Sequence, residues 1–165
     1  YDRLTTYKTD ALTHLRTTDR QYDLVLLDLP GARNDDMLPV YSTEFYRLLR
    51  GHLTDDGIVV SWGYDRSAYS THYVTYMNTV RAAGFDRHVA YHAWGDTDGD
   101  SETEQGERFY AFSPGPGPSP ALGTASNLTD TQQRRYADAE WQPVLRYRGV
   151  EPNSIFNPNY DIIIN

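Results

Sequence analysis

Apolar and polar positions alternate with two different periods along this chain, and the changes of period mark its elements. Residues Leu24-Val25-Leu26-Leu27 form a continuous apolar run framed by Asp23 and Asp28 and followed by Pro30-Gly31. A run of that length with such flanks predicts a strand over Tyr22–Asp28, buried on both faces. Leu12 and Leu15 at helical spacing predict a short helix over Asp10–Arg16. Gly31–Asp36 is polar and reads as a loop over the strand end. Tyr41–Leu53 predicts a helix, N-capped by Ser42 or Thr43, with Phe45, Leu48 and Leu49 as its inward stripe. Asp55-Asp56-Gly57 reads as a turn into a second strand, Ile58–Ser61. Ser67–Ala83 predicts a second long helix, with Tyr69, Tyr73, Tyr76 and Val80 on its apolar side and Gly84 as its stop. Arg87–Ala93 and Glu107–Ser113 predict two more strands, joined by the polar stretch Trp94–Gly106.

Alternating strands and helices argue for an α/β fold, a mainly parallel sheet with helices on its faces. The last two strands have no helix between them, so they cannot be parallel neighbours and an antiparallel last strand is expected. Residues 1–113 read as the α/β unit. Residues 114–128 are rich in Pro, Gly and Ser and read as a linker. Residues 129–165 hold a predicted surface helix, Asp130–Trp141, and a tail whose Ile162-Ile163-Ile164 run docks on the sheet or on something beyond it.

Composition narrows the functional classes. With 165 residues the chain can form one real core. The net charge is −8, Asp dominates the acids, and Lys8 is the single lysine. An acidic surface that keeps Arg suggests a high-salt organism, a halophilic archaeon, where screening makes the self-repulsion tolerable. Without a basic stripe, nucleic-acid binding is not expected. With no cysteine, disulfides and thiol catalysis are excluded. No apolar run approaches a membrane span, and no secretory signal opens the chain. A cytoplasmic setting is expected, with a tether on a preceding segment left open.

The candidate chemistry centres on Asp28. In open α/β sheets, ligands bind at the carboxyl ends of the strands, and the first strand delivers Asp28 there. Asp before a Pro-Gly turn is also an ordinary turn residue, and both readings stand. Asp96–Glu107 has acids at alternating positions like a calcium loop, but Ser101 occupies the place of the required Gly, so a solvated acidic loop is the preferred reading. His88 and His92 share a strand face without carboxylates at ligand spacing, and no metal site is expected there.

Asp10-Ala11-Leu12, Asp28-Leu29-Pro30, Val40-Tyr41-Ser42-Thr43-Glu44-Phe45-Tyr46 and Asn153-Ser-Ile-Phe-Asn-Pro158, in this order, resemble the polyamine aminopropyltransferases, the spermidine/spermine synthase family. The likeness is strongest to the bacterial and archaeal branch with Asp-Leu-Pro at the active site. It covers roughly Lys8 to Ser113 plus the tail. It implies the C-terminal half of a Rossmann-like, methyltransferase-type sheet. The family's glycine-rich nucleotide loop and ribose-binding acid would lie ahead of Tyr1. The implied reaction moves an aminopropyl group from decarboxylated S-adenosylmethionine, a co-substrate rather than a prosthetic group, to a small-molecule amine. Asp28 matches the first Asp of the family's Asp-x-x-Asp-Pro and would be the catalytic base. Asp10, with Ala11, matches the segment that contacts the adenine, although Asp10 also fits a helix N-cap. Tyr41 falls at the family's pocket edge, where helix-start packing is the preferred reading, and Asp35 or Asp36 could reach the acceptor from the loop. The sequence departs from the family twice. Gly31 stands in place of the second Asp, and Trp62 stands where a Gln contacts the polyamine. An indole can hold a cation over its face, worth about 0.5–2 kcal/mol. These departures keep a non-catalytic paralogue, with a structural or assembly role, as the alternative. A methyltransferase-like enzyme is a third reading, and a homo-oligomer remains open.

Overall fold

The computed structural model describes residues 3–64, 70–95, 104–118 and 139–163. Helix α1 (Ala11–Thr17) leads into strand β1 (Tyr22–Leu27). A 3-10 helix (Asp35–Tyr41) runs directly into α2 (Thr43–Gly51). Strand β2 (Leu53–Gly63), helix α3 (Ser70–Ala82) and strands β3 (Arg87–Gly95) and β4 (Glu104–Ser113) follow. A two-residue β5 (Gln142–Pro143) and a short 3-10 helix (Tyr160–Ile162) complete the order.

The five strands lie in the order β1-β2-β4-β3-β5. Strands β1 and β2 are parallel, and every other pairing is antiparallel. The fold is thus α/β, with the antiparallel last strand anticipated from the missing crossover. The expected turn Asp55-Asp56-Gly57 is instead an irregularity inside one long strand. Between the pairs Tyr22↔Leu53 and Leu24↔Ile58, β1 advances two residues while β2 advances five. Thr54 Oγ1 donates to Asp23 Oδ1 at 2.8 Å across this bulge. Gly57 is required there, because a Cβ would come within 2.8 Å of the Tyr22 carbonyl oxygen.

Two further expectations need correcting. The predicted loop holds over residues 31–34, but Asp35 and Asp36, and the start of the predicted helix at Tyr41, belong to the 3-10 helix, which Pro39 sits within. Ser42 then caps α2, accepting from the Phe45 N–H at 3.2 Å. Strand β1 is not buried on both faces. It is an edge strand, and Leu24 and Leu26 are 49% and 67% exposed. The apolar run predicted the strand correctly but could not say that, among the described residues, one side lacks a neighbour.

The core lies between the sheet and helices α2 and α3, and it is largely aromatic. Tyr41, Tyr46, Tyr64, Tyr76, Phe45, Phe85 and Phe112 are all buried. Tyr46 and Tyr76 meet edge to face with their hydroxyls 3.0 Å apart, so these rings bring their own hydrogen-bond partners into the core. Tyr69 and the predicted helix Asp130–Trp141 fall outside the described residues, apart from Ala139–Trp141, which is irregular. Gly84 closes α3 with φ +94°, the left-handed cap its position predicts.

Residues 139–163 return as a strap across the helices. Asn153 is fully buried, and Asn78 of α3 donates to the carbonyls of Tyr147 and Val150. Ile162 is also fully buried, so the apolar tail docks on the domain itself.

Candidate functional site

Parallel pairing of β1 with β2 sets the site. The register runs Leu26↔Val60 and Leu27↔Ser61, and one further step brings Asp28 level with Trp62. Both residues therefore stand at the carboxyl ends of adjacent strands, where α/β sheets place ligands. Asp28 is exposed just beyond β1. Trp62 is half-buried, 5.2 Å from Tyr64 in an edge contact, and is paired on its other side with Phe109 of β4. Asp28 and Trp62, each following the last β1–β2 pair, thus lie at the same end of the sheet, one a group that can accept a proton and the other a ring that can hold a cation.

The other predicted site residues are placed as follows. Asp10 is the N-cap of α1, its carboxylate accepting from the Thr13 N–H at 2.9 Å. Ala11 opens that helix and lines an apolar groove of about 290 Å³ with His14, Leu15, Leu24, Leu26 and Phe45. Asp35 begins the 3-10 helix and is exposed, as is Asp36. Tyr41 is fully buried, its hydroxyl donating to the Pro30 carbonyl at 2.7 Å. That is the packing role preferred for it from sequence. Gly31 is half-buried in the loop between them. A second cavity, about 370 Å³, lies between α3 and the strap, lined by Arg81, Arg146 and Glu151 and by none of the predicted site residues.

Several residues that shape the site carried no functional signal in the sequence. Tyr64, one residue past β2, packs between Trp62 and the stacked ring of His72, 5.7 Å away. Phe109 reaches Trp62 only through the antiparallel β2–β4 register, which no local pattern encodes. Asn153 had a signal in the Asn-rich tail, but its target is set by the fold. Burial pushes the Tyr46 hydroxyl up to about 12 and raises Tyr41, Tyr64 and Tyr76 further. These phenols are hydrogen-bonding groups rather than acids near neutral pH. The metal-binding alternatives stay unsupported. Residues 96–103 of the acidic loop lie outside the described residues. Among the described residues no cluster of three or more His, Cys, Asp or Glu could hold an ion. Also among the described residues, no helix is long and apolar enough to cross a membrane.

No protein-family profile matches the chain. Curated relatives do. The chain is 34% identical over 86 residues to polyamine aminopropyltransferase 2 of Aquifex aeolicus, covering 52% of this chain and 17% of that protein. It is 38% identical over 103 residues to the polyamine aminopropyltransferase of Corynebacterium efficiens, covering 59% and 20%. Against the polyamine aminopropyltransferase of Saccharolobus solfataricus the identity is 30% over 92 residues, covering 55% and 31%. The matched segment thus spans less than a third of each of these relatives.

Proposed function

We propose that the chain carries the acceptor side of an aminopropyltransferase site, within a longer Rossmann-like domain. The observation that carries the reading is the β1–β2 register, which sets Asp28 level with Trp62 at the strand ends. The likeness to polyamine aminopropyltransferases supports it. In the reaction the acceptor ammonium first loses a proton to the Asp28 carboxylate. The freed nitrogen lone pair attacks the propyl carbon of decarboxylated S-adenosylmethionine. A C–N bond forms, the C–S bond breaks, and its electron pair neutralises the sulfonium to give methylthioadenosine. The amine product leaves as a secondary ammonium, and the proton held by Asp28 passes to solvent, which restores the carboxylate. The site gains from orienting the two reactants as much as from the base. Trp62 would hold the acceptor cation over its ring, and Asp35 would add charge from the 3-10 helix. Asp10 and Ala11 would meet the adenine.

Among the described residues the outer edge of β1 has no partner, which supports the longer domain. A strand pairing alongside it and a helix over Leu24 and Leu26 would remove the exposed apolar surface. Gly31 and Trp62, which remove the second carboxylate and the amide of the family pattern, favour a second reading, a non-catalytic relative with a role in assembly. The deciding assay measures thioether product from decarboxylated S-adenosylmethionine with putrescine, agmatine and longer amines across a range of salt. Activity abolished by Asp28→Asn supports the enzyme. A protein that stays inactive after Gly31→Asp and Trp62→Gln, yet binds the nucleoside, supports the second reading.

A further inference from the structure

The loop after Asp28 is moored through a buried tyrosine to the C-terminal strap. The Pro30 carbonyl accepts from the Tyr41 hydroxyl at 2.7 Å. The carbonyls of Tyr41 and Leu38 accept in turn from Asn153 Nδ2 at 3.1 and 3.0 Å. A neighbouring phenol, Tyr64, donates to the strap at the Ile162 carbonyl at 2.8 Å. Tyr41, Tyr64, Asn153 and Ile162 are all fully buried.

Asn153 is built for this task. Its Nδ2 gives both protons to the two carbonyls, and its Oδ1 accepts from the Asn159 N–H at 3.0 Å. Its main-chain N–H donates to Thr79 Oγ1 at 2.8 Å. Its carbonyl accepts from the Thr43 N–H and hydroxyl, at 2.9 and 3.0 Å. Asn alone among side chains of this size offers two donors and an acceptor in that geometry. Asp would set a carboxylate against two carbonyls. Burial raises the Tyr41 phenol well above its ordinary value, so it stays a donor near neutral pH.

We infer that Asn153 of the strap, acting through Tyr41, is the residue that positions the loop after Asp28. Its catalytic meaning rests on the aminopropyltransferase reading, whereas the mooring stands on the hydrogen bonds alone. Asp28 hangs at the end of an edge strand, and Pro30-Gly31 supply few anchors of their own. A tie two residues past Asp28 limits where its carboxylate can stand. A displacement of about 1 Å at a reacting group can cost about 100-fold in rate.

The test is amide hydrogen exchange on the 165-residue chain carrying Tyr41→Phe or Asn153→Ala. Tyr46→Phe serves as the control, breaking the Tyr46–Tyr76 hydroxyl pair in the same core without touching the loop. Amides of residues 29–36 should exchange about 10-fold faster or more in the first two variants, with β2 and α3 unchanged, and should not respond in the control. Loop exchange that is equal in all three, or that rises only in step with α3, overturns the mooring. Should Asn153→Ala fail to fold, Tyr41→Phe decides. In the protein assayed for aminopropyl transfer, kcat should fall by about 10–100-fold with the donor KM unchanged. A loosened loop with unchanged kcat overturns the positioning role. A parent without transfer activity counts against the proposed function, and the exchange result still decides the mooring.

Discussion

At the level of single residues, the structure separates side chains that hold the fold from those free to act. Asp28 is exposed at a strand end, whereas Tyr41, at first sight a pocket residue, is enclosed. If the protein transfers aminopropyl groups, Asp28→Asn should lower kcat by about 10²–10⁴-fold, the usual worth of a general base, at unchanged thermal stability. Gly31→Asp and Trp62→Gln should each lower the KM for a diamine, measured across the same series of amines. Gly57→Ala is the structural counterpart. Its Cβ would meet the main chain at Tyr22 and Thr54, neither of which can swing aside. We expect it to cost about 1–3 kcal/mol in chemical denaturation, with the β1–β2 register as the first thing lost.

Among the elements, the strap depends on one carboxylate. Burial pushes Glu44 up, but the Ile155 N–H and the Ser154 hydroxyl, donating at 3.0 and 2.8 Å, outweigh it and hold the group below its ordinary value. A carboxylate lowered by folding contributes stability that is complete above the unfolded value, about 4.3. That stability is lost as pH falls through the folded value. Thermal melts of the parent and Glu44→Gln should therefore differ at neutral pH and converge on acidification below about pH 4. A constant gap would show that Glu44 acts through packing alone. Element boundaries also show where local pattern stopped being sufficient. Phe45 and Leu49 do face inward as the helical spacing requires, but Tyr46 is buried as well, because α2 is covered by α3 on a second side. The Asp55-Asp56-Gly57 turn signal was sound chemistry. It became a bulge because the strand it interrupts pairs on both sides of the interruption.

For the whole molecule, the open edge is the dominant feature. Leu24 and Leu26, on a strand whose outer edge has no partner among the described residues, make a surface that pairs with whatever strand is offered. The 165-residue chain should therefore self-associate with rising concentration in sedimentation velocity, and Leu26→Lys should suppress this at little cost to stability. The same change should destabilise a longer protein in which another segment covers β1. The chain contains no early Gly-x-Gly-x-Gly loop, so calorimetry should detect weak or no binding of methylthioadenosine to these residues alone. Micromolar affinity would place a nucleoside site within these 165 residues.

Local sequence settles the set of elements and the chemistry they carry. Apolar runs, helical spacing and cap residues act over a few neighbours, so β1, α1, α3, the Gly84 stop and the N-cap of α1 at Asp10 are legible from the residues alone. So is the antiparallel close of the sheet, since a short connection cannot make a parallel crossover. The rest belongs to the assembled fold. Which strand lies at the edge, which aromatic ring stands beside Trp62, and that Asn153 ties two carbonyls more than a hundred residues away are consequences of strand order and of chain return. Those depend on long-range pairing, where the partner's identity is set by geometry and burial over the whole sheet, and no window of neighbouring residues contains it.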